Sequence, residues 1–342
     1  MNLLPRAMRG RTMQRGGGAV ERVSGLSNWK LTIRREADAV TILRAVTCDA
    51  DAVLPDRLFD LPVTALADRC LSPTAAPAEG EAVLIEGGPP GPDWDNRRIR
   101  RLTLPEGLAA LGDYALMGLA EMEELRLHDA LTGLGSAAFM NCRSLTRLTL
   151  TRAGTGQGPA LAKLAAVLPG ELDVRIQEPG GETRLLFPAY TESYEENSAA
   201  HHFDLRITGA GYPYHSVFRE KKLTLSDYDA LFPRLLGGEH EADAALRLAW
   251  YRLRWPAGLT PRARAVYAAY LAARWLPTLL LPLEEDDRAG LLLALGLGEP
   301  GREELDQALQ RARELGCTEA VAILLEARRR RFGAGSARRF EL

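Results

Sequence analysis

The chain has 342 residues, enough for two domains and a sizeable core, and a formal net charge of −2, which offers no bulk attraction to nucleic acid or to an anionic membrane. Its hydrophobic fraction of 46% is that of an ordinary globular protein, and no apolar run reaches the ~18 to 20 residues of a membrane span. The longest run, Leu276 to Leu283, is interrupted by Pro277, Thr278 and Pro282.

Residues 1–22 carry Arg6, Arg9, Arg11, Arg15 and Arg22 around a Gly16-Gly17-Gly18 run and read as a disordered basic tail. They lack the apolar core of a secretory signal, so the default location is the cytoplasm; Met8 and Met13 are alternative starts. Two alternating runs, Trp29 to Ile33 and Val40 to Val46, flank a polar break and predict a β-hairpin placed to cap the first rung of a repeat. A partial repeat holds Val63, Leu66, Asp68 and Leu71, with Leu54-Pro55 as the preceding strand end. Between Ser72 and Asn96, five prolines and four glycines predict a surface excursion around one short strand at Ala82 to Ile85, with Trp94 folding back over its own loop.

From Arg98 to Leu150 the chain repeats with a 23-residue period. Leu102 and Leu104 fall on Leu125 and Leu127, and these on Leu148 and Leu150; Leu111-Gly112 falls on Leu134-Gly135, and Ala115 on Ala138. Alternation sends both leucines of each strand inward, Pro105 ends the first strand, and Gly112 is read as permitting a tight bend. No rung buries its apolar face alone, which is the logic of a solenoid. Val63, Leu66, Asp68 and Leu71 join the series at a 45-residue shift, and Leu172 and Val174 at 24 residues beyond Leu148 and Leu150.

The segments Leu102-Thr103-Leu104-Pro105-Glu106-Gly107-Leu108, Leu111 to Leu116 and Leu134 to Cys142 resemble the BspA-type leucine-rich repeat family, bacterial-type repeat proteins, although Leu116 stands where an aromatic is usual and Leu119 where the next repeat has Cys142. The resemblance implies a curved solenoid used for adhesion or protein binding. Cys48, Cys70, Cys142 and Cys317 are scattered, without a C-x-x-C pair, and read as free thiols, with Cys70 and Cys142 facing the interior.

Gly154 to Gly158 reads as a turn, since no Lys-Ser or Lys-Thr follows as in a phosphate loop, and Leu161, Leu164 and Leu168 predict a short helix. A Pro179-Gly180-Gly181 turn and the apolar run Leu185 to Phe187 predict a closing hairpin. Residues 189–218 interleave tyrosines with Glu192, Glu195, Glu196, His201, His202 and His215 and read as a structured connector whose aromatics pack between domains. The alternative is a metal-dependent enzyme with Glu192, His201 and His202 as its candidate residues, which their spacing disfavours because adjacent histidines point to opposite faces of a strand.

From Ser226 the pattern is helical: Ser226 to Leu236, Glu239 to Trp255, Arg262 to Trp275 opened by Thr260-Pro261, a short helix at Leu291 to Leu293, and a final pair broken at Gly316. Ala308-Leu309 to Ala312, Gly316, Glu319, Val321 and Leu324-Leu325 resemble the helix pair of an ankyrin repeat without its Thr-Pro-Leu-His start. Arg328 to Arg331 read as a solvated helix end rather than a nucleic-acid site.

The sequence therefore predicts an α+β multidomain chain: a basic tail (1–22), a leucine-rich-repeat β-solenoid with its hairpin cap (23–178), a Tyr/His/Glu-rich connector (179–225), an all-α, helical-repeat-like domain (226–333) and a tail (334–342). Aligned strands stack Arg101, Glu124 and Arg147 in one outward column and Thr103, Arg126 and Thr149 in the next, the candidate partner-binding face. The expected role is a non-catalytic scaffold for a protein partner, with no cofactor, small-molecule substrate, nucleic acid or membrane.

Overall fold

In the computed structural model, which describes residues 21–154, 157–197, 202–237 and 242–333, the chain contains both strands and helices and forms two compact units. The first comprises residues up to Glu182 together with Ala189–Leu223; the second comprises Thr183–Pro188 and the chain from Thr224 onward. The segment 179–225, expected as a separate connector, is thus divided. Glu21 and Arg22, expected within the basic tail, belong to the strand Glu21–Ser24, parallel to Glu81–Glu86. Residues 1–20 and 334–342 lie outside the described residues.

The first unit is built on two parallel ladders. In one, Asp51–Val53, Arg101–Thr103, Glu124–His128, Arg147–Thr151 and Leu172–Glu178 pair side by side. Ala52, Leu102, Leu125, Leu148 and Val174 lie opposite one another in a single file and are all buried. The expected register at the last strand is corrected: Leu148 faces Val174, 26 positions on, not Leu172. The helix Ala160–Val167 occupies the intervening chain and makes this rung longer. Because the shift remains even, the inward face is preserved.

The second ladder runs through Val40–Thr47, Leu61–Leu66, Ala110–Leu111 and Gly133–Leu134. Strand Val40–Thr47 also pairs antiparallel with Trp29–Arg35, so the predicted hairpin closes the end of this ladder. Trp29 is fully buried, and its Nε1 donates to Val53 O at 2.8 Å, fastening the hairpin to the first rung of the other ladder. The short strand expected in the excursion is present: Glu81–Glu86 pairs with Trp29–Ile33, and Trp94, expected to cover its own loop, has Lys30 Nζ of the hairpin 4.2 Å from its ring centre.

Between the ladders the same backbone conformation recurs. Arg69, Tyr114 and Ala137 all have positive φ, at 53°, 56° and 49°, and they occupy equivalent places in successive rungs. Asp68 Oδ1 accepts from Asp113 N and Asp113 Oδ1 from Ser136 N, each at 2.7 Å, so each aspartate bonds the backbone of the next rung. Gly112 does not make the bend attributed to it. It is absent from the positive-φ glycines, and a Cβ there would stand 2.5 Å from Asp68 N, so glycine is required by close stacking.

The excursion returns through Asn96, which is 1% exposed. Its Nδ2 donates to Ala45 O and Leu71 O at 2.8 Å, and its Oδ1 accepts from Thr47 N at 2.9 Å. Asn96→Ala orphans two buried carbonyls and one amide, and is expected to cost about 2 kcal/mol of stability. Urea unfolding of the variant measures this; an unchanged midpoint contradicts the assigned role.

Residues 155 and 156 of the expected Gly154 to Gly158 turn lie outside the described residues, and just before it Arg152 forms a buried ion pair. Arg152 Nε donates to Asp129 Oδ2 at 2.6 Å and its other end reaches Glu178 Oε1 at 2.7 Å. Asp129 also accepts from Gly158 N and Ala160 N, thereby capping the helix Ala160–Val167 from a neighbouring rung. Residues 189–197 and 202–223 then fold onto this unit. Tyr190 N donates to Pro169 O, buried His215 Nδ1 lies 3.0 Å from Ala165 O, and Gln157 exchanges two hydrogen bonds with the backbone of Leu223. The Tyr190 ring meets those of Tyr212 and His215 edge-on, so these aromatics pack within the first unit.

The second unit is helical apart from Thr183–Pro188, whose Leu185, Leu186 and Phe187 are fully buried. Tyr228 Oη holds this segment, donating to Leu186 O and accepting from Leu186 N. The helix expected from Ser226 to Leu236 is broken into Leu225–Ala230 and Phe232–Leu235, with Pro233 in the first turn of the second. Ala242–Arg254 and Pro261–Ala272 follow, and Thr260 Oγ1 accepts from Ala263 N as its sequence position predicts.

Trp275–Glu284 is a further helix, which the sequence pattern did not assign. Pro277 sits in its first turn, which tolerates a missing donor. Asp287 caps Arg288–Leu295 through Gly290 N, and Arg302–Glu314 and Thr318–Phe332 form the final pair, separated by Gly316 at φ 72°. Among the described residues no single helix is long and apolar enough to cross a membrane.

Candidate interaction face

The outward residues of the first ladder form columns because strands present alternate residues to opposite faces. One column reads Asp51, Arg101, Glu124, Arg147 and Asp173; its neighbour reads Val53, Thr103, Arg126, Thr149 and Arg175. All six residues proposed from sequence thus lie on one face. Four of them, Thr103, Glu124, Arg126 and Thr149, line a depression of about 360 Å³, whose wall also includes His128, Thr151, Arg175 and Gln177. Arg101 and Arg147 stand outside it.

Arg175 and Gln177 escaped the sequence reading because of the two-residue difference in register. A 24-residue shift sets Asp173 beside Thr149, whereas the observed shift sets Arg175 there, replacing an anion by a cation. His128 and Thr151 continue the same strands by one more alternation and were legible once the columns were extended.

The charges pair differently from the simple column expectation. Arg101 donates to Asp51, Nε to Oδ1 at 2.6 Å with a second contact from Nη2 to Oδ2, whereas Arg147 Nη2 reaches Glu123 Oε2 at 2.8 Å. Glu124 accepts from Arg126 Nε at 2.6 Å on its own strand and from Thr149 Oγ1 at 3.3 Å. The hydrogen bond from Arg101 holds the Asp51 carboxyl below its ordinary value against a smaller effect of burial. Burial pushes the Glu124 carboxyl up, but Arg126, Thr149 and Arg147 outweigh it and keep the group low. The Glu124 side chain is only 12% exposed against 51% for Arg126, so the guanidinium is what a visitor meets.

The acid-base and metal alternative places its residues apart. Strand Thr191–Asn197 pairs antiparallel with His202–Thr208; Glu192 stands opposite Ile207 and His202 opposite Asn197. Five positions of strand separate Glu192 from His202, ~17 Å at the usual rise. His201 lies outside the described residues. Among the described residues no group of three or more His, Cys, Asp or Glu side chains is arranged to hold a metal ion. The four cysteines are free thiols, and burial pushes those of Cys70 and Cys142 up to about 12.

No family model and no curated protein matches the chain. Among solved structures, the crystal structure of a leucine-rich repeat protein from T. pallidum aligns over 35% of this chain and 68% of its own, at 18% identity and a TM-score of 0.17.

Proposed function

We propose that the chain is a non-catalytic protein-interaction scaffold of the cytoplasm, in which a BspA-type leucine-rich solenoid supplies the recognition face and an ankyrin-like helical array forms the second domain. The observation that carries this reading is the polar depression on the first ladder. Its side chains stand on strands whose inward residues are all buried, so the face is held rigid before any partner arrives, which lowers the cost of binding. Around the mostly buried Glu124 its lining offers two exposed guanidiniums and a carboxamide with three half-buried threonines and a half-buried histidine, which suits hydrogen bonding to a polar protein surface.

The test is capture by the full chain. Reversing Arg101, Arg126 and Arg147 to glutamate is expected to reduce recovery of specific partners at least about tenfold, the loss typical of removing central charged contacts. Partner sets that quantitative mass spectrometry cannot distinguish between the variant and the parent chain overturn the proposed face.

A further inference from the structure

We propose that the hairpin Thr191–Asn197 and His202–Thr208 is a self-association element, in which strand His202–Thr208 pairs antiparallel with the same strand of a second copy, Leu205 opposite Leu205. Tyr194 and Leu205 stand directly opposite each other in the hairpin and are 68% and 50% exposed. Among the described residues the two strands form a sheet of their own. A two-stranded ribbon is marginal in water, and a strand at the edge of a sheet is a template on which a further strand can pair. The base is anchored: Tyr190 N bonds Pro169 O, and Gly209, at φ 92°, lies so close to Ala189 that a Cβ would stand 2.9 Å from its carbonyl oxygen.

The sequence of the strand selects its partner. With Leu205 opposite Leu205 of the copy, Asp204 falls opposite Arg206 and Arg206 opposite Asp204, giving two opposite-charge pairs by symmetry. Shifting the centre to residue 204 sets aspartate against aspartate, and shifting it to 206 sets arginine against arginine. A one-residue slip sets Leu205 against a charge. Arg206 is already engaged within its own chain, and a guanidinium has donors enough to add a carboxylate of the copy. The other edge does not serve, since Thr191–Asn197 carries three glutamates and no cation. The resulting four-stranded sheet aligns Tyr194, Leu205, Leu205 and Tyr194 in one row across the dyad, covering the exposed apolar pair.

Sedimentation equilibrium of the full chain tests this. The parent chain is expected to show a reversible monomer–dimer equilibrium, and Asp204→Arg or Arg206→Asp alone to weaken it about tenfold or more, since each creates two like-charge pairs. The double exchange D204R/R206D restores complementarity and is expected to return the dimer, which excludes misfolding as the cause of the single-variant losses. Leu205→Cys is expected to form an interchain disulfide on mild oxidation, because opposed residues in an antiparallel pair lie ~4.5 or ~5.5 Å apart at Cα; Tyr194→Cys, two strands from its copy, is not. A parent chain that stays monomeric, single variants that dimerise like the parent, a double exchange that stays monomeric, or failure of Leu205→Cys to cross-link where the parent also does not would each overturn the proposal.

Discussion

Gly135→Ala is expected to remove about 3 kcal/mol or more from the stability of the first unit, at the upper end of what overpacking costs, because the new methyl runs into the fixed backbone of the preceding rung. Its Cβ would lie 2.3 Å from Gly112 C, 2.4 Å from Asp113 N and 2.5 Å from Gly112 O, none of them the movable end of a side chain. Relief requires the rungs to separate, which stretches the bonds that Ser136 N donates to Asp113 Oδ1 and Gly135 N donates to Leu111 O. Gly112→Ala meets the backbone of Ala67 and Asp68 in the same way. Gly170→Ala is the matched control: nothing lies within 4 Å of its Cβ position, and the change is expected to stay within about 0.5 kcal/mol. Urea unfolding of the three variants, with midpoints compared to the parent chain, decides the matter. Equal midpoints for Gly135→Ala and Gly170→Ala contradict the close-stacking account.

In the second unit the largest effect is expected at Asp229. Arg252 is completely buried and donates to both Asp229 oxygens, at 2.7 and 3.0 Å, while Tyr267 Oη donates to Oδ1 at 2.9 Å and a further Arg252 contact reaches Ala257 O. Burial opposes the charge on Arg252, but the hydrogen bonds and charge of Asp229 outweigh it and raise its pKa. Asp229→Ala leaves that guanidinium buried without its counterion and is expected to cost about 3–5 kcal/mol. Asp229→Leu combined with Arg252→Met removes both charges and is expected to recover most of the loss. Loss of the helical circular dichroism signal in urea measures both. A double variant no more stable than the single variant shows that packing, not an unpaired charge, sets the cost.

Much of the first unit was legible because its repeat obeys one simple rule. Leucines two apart on a strand and 23 apart between strands have to share an interior, so the file through Leu102, Leu125 and Leu148 is dictated by spacing. The columns through Arg101 and Thr103 come from the same alternation. The rule weakened where the rung changed length. The helix Ala160–Val167 moved the last strand by two residues, and the depression acquired Arg175 in place of Asp173.

Other features have no local signature. Asn96 sits at the end of a proline-rich excursion, and its three partners lie 25 to 51 positions away. Asp129 caps a helix that begins 31 positions later, and Thr183–Pro188 joins a unit otherwise built from Thr224 onward. The helix Trp275–Glu284 was not assigned from sequence: two prolines fall in its apolar run, yet Pro277 lies in the first turn and burial of Leu279 and Leu283 stabilises the rest.

The sequence by itself determined the period, the inward leucines, the outward columns and the helical character of the second half, because strand alternation and helix caps act between residues close along the chain or equivalent by repetition. Only the tertiary structure decided which glycines are compelled by backbone contact, where Asn96, Asp129 and Asp229 place their hydrogen bonds, and which of the outward residues share one depression. Those depend on distances between segments far apart in the chain, and a carboxylate or a missing Cβ carries no mark of the partner it will meet.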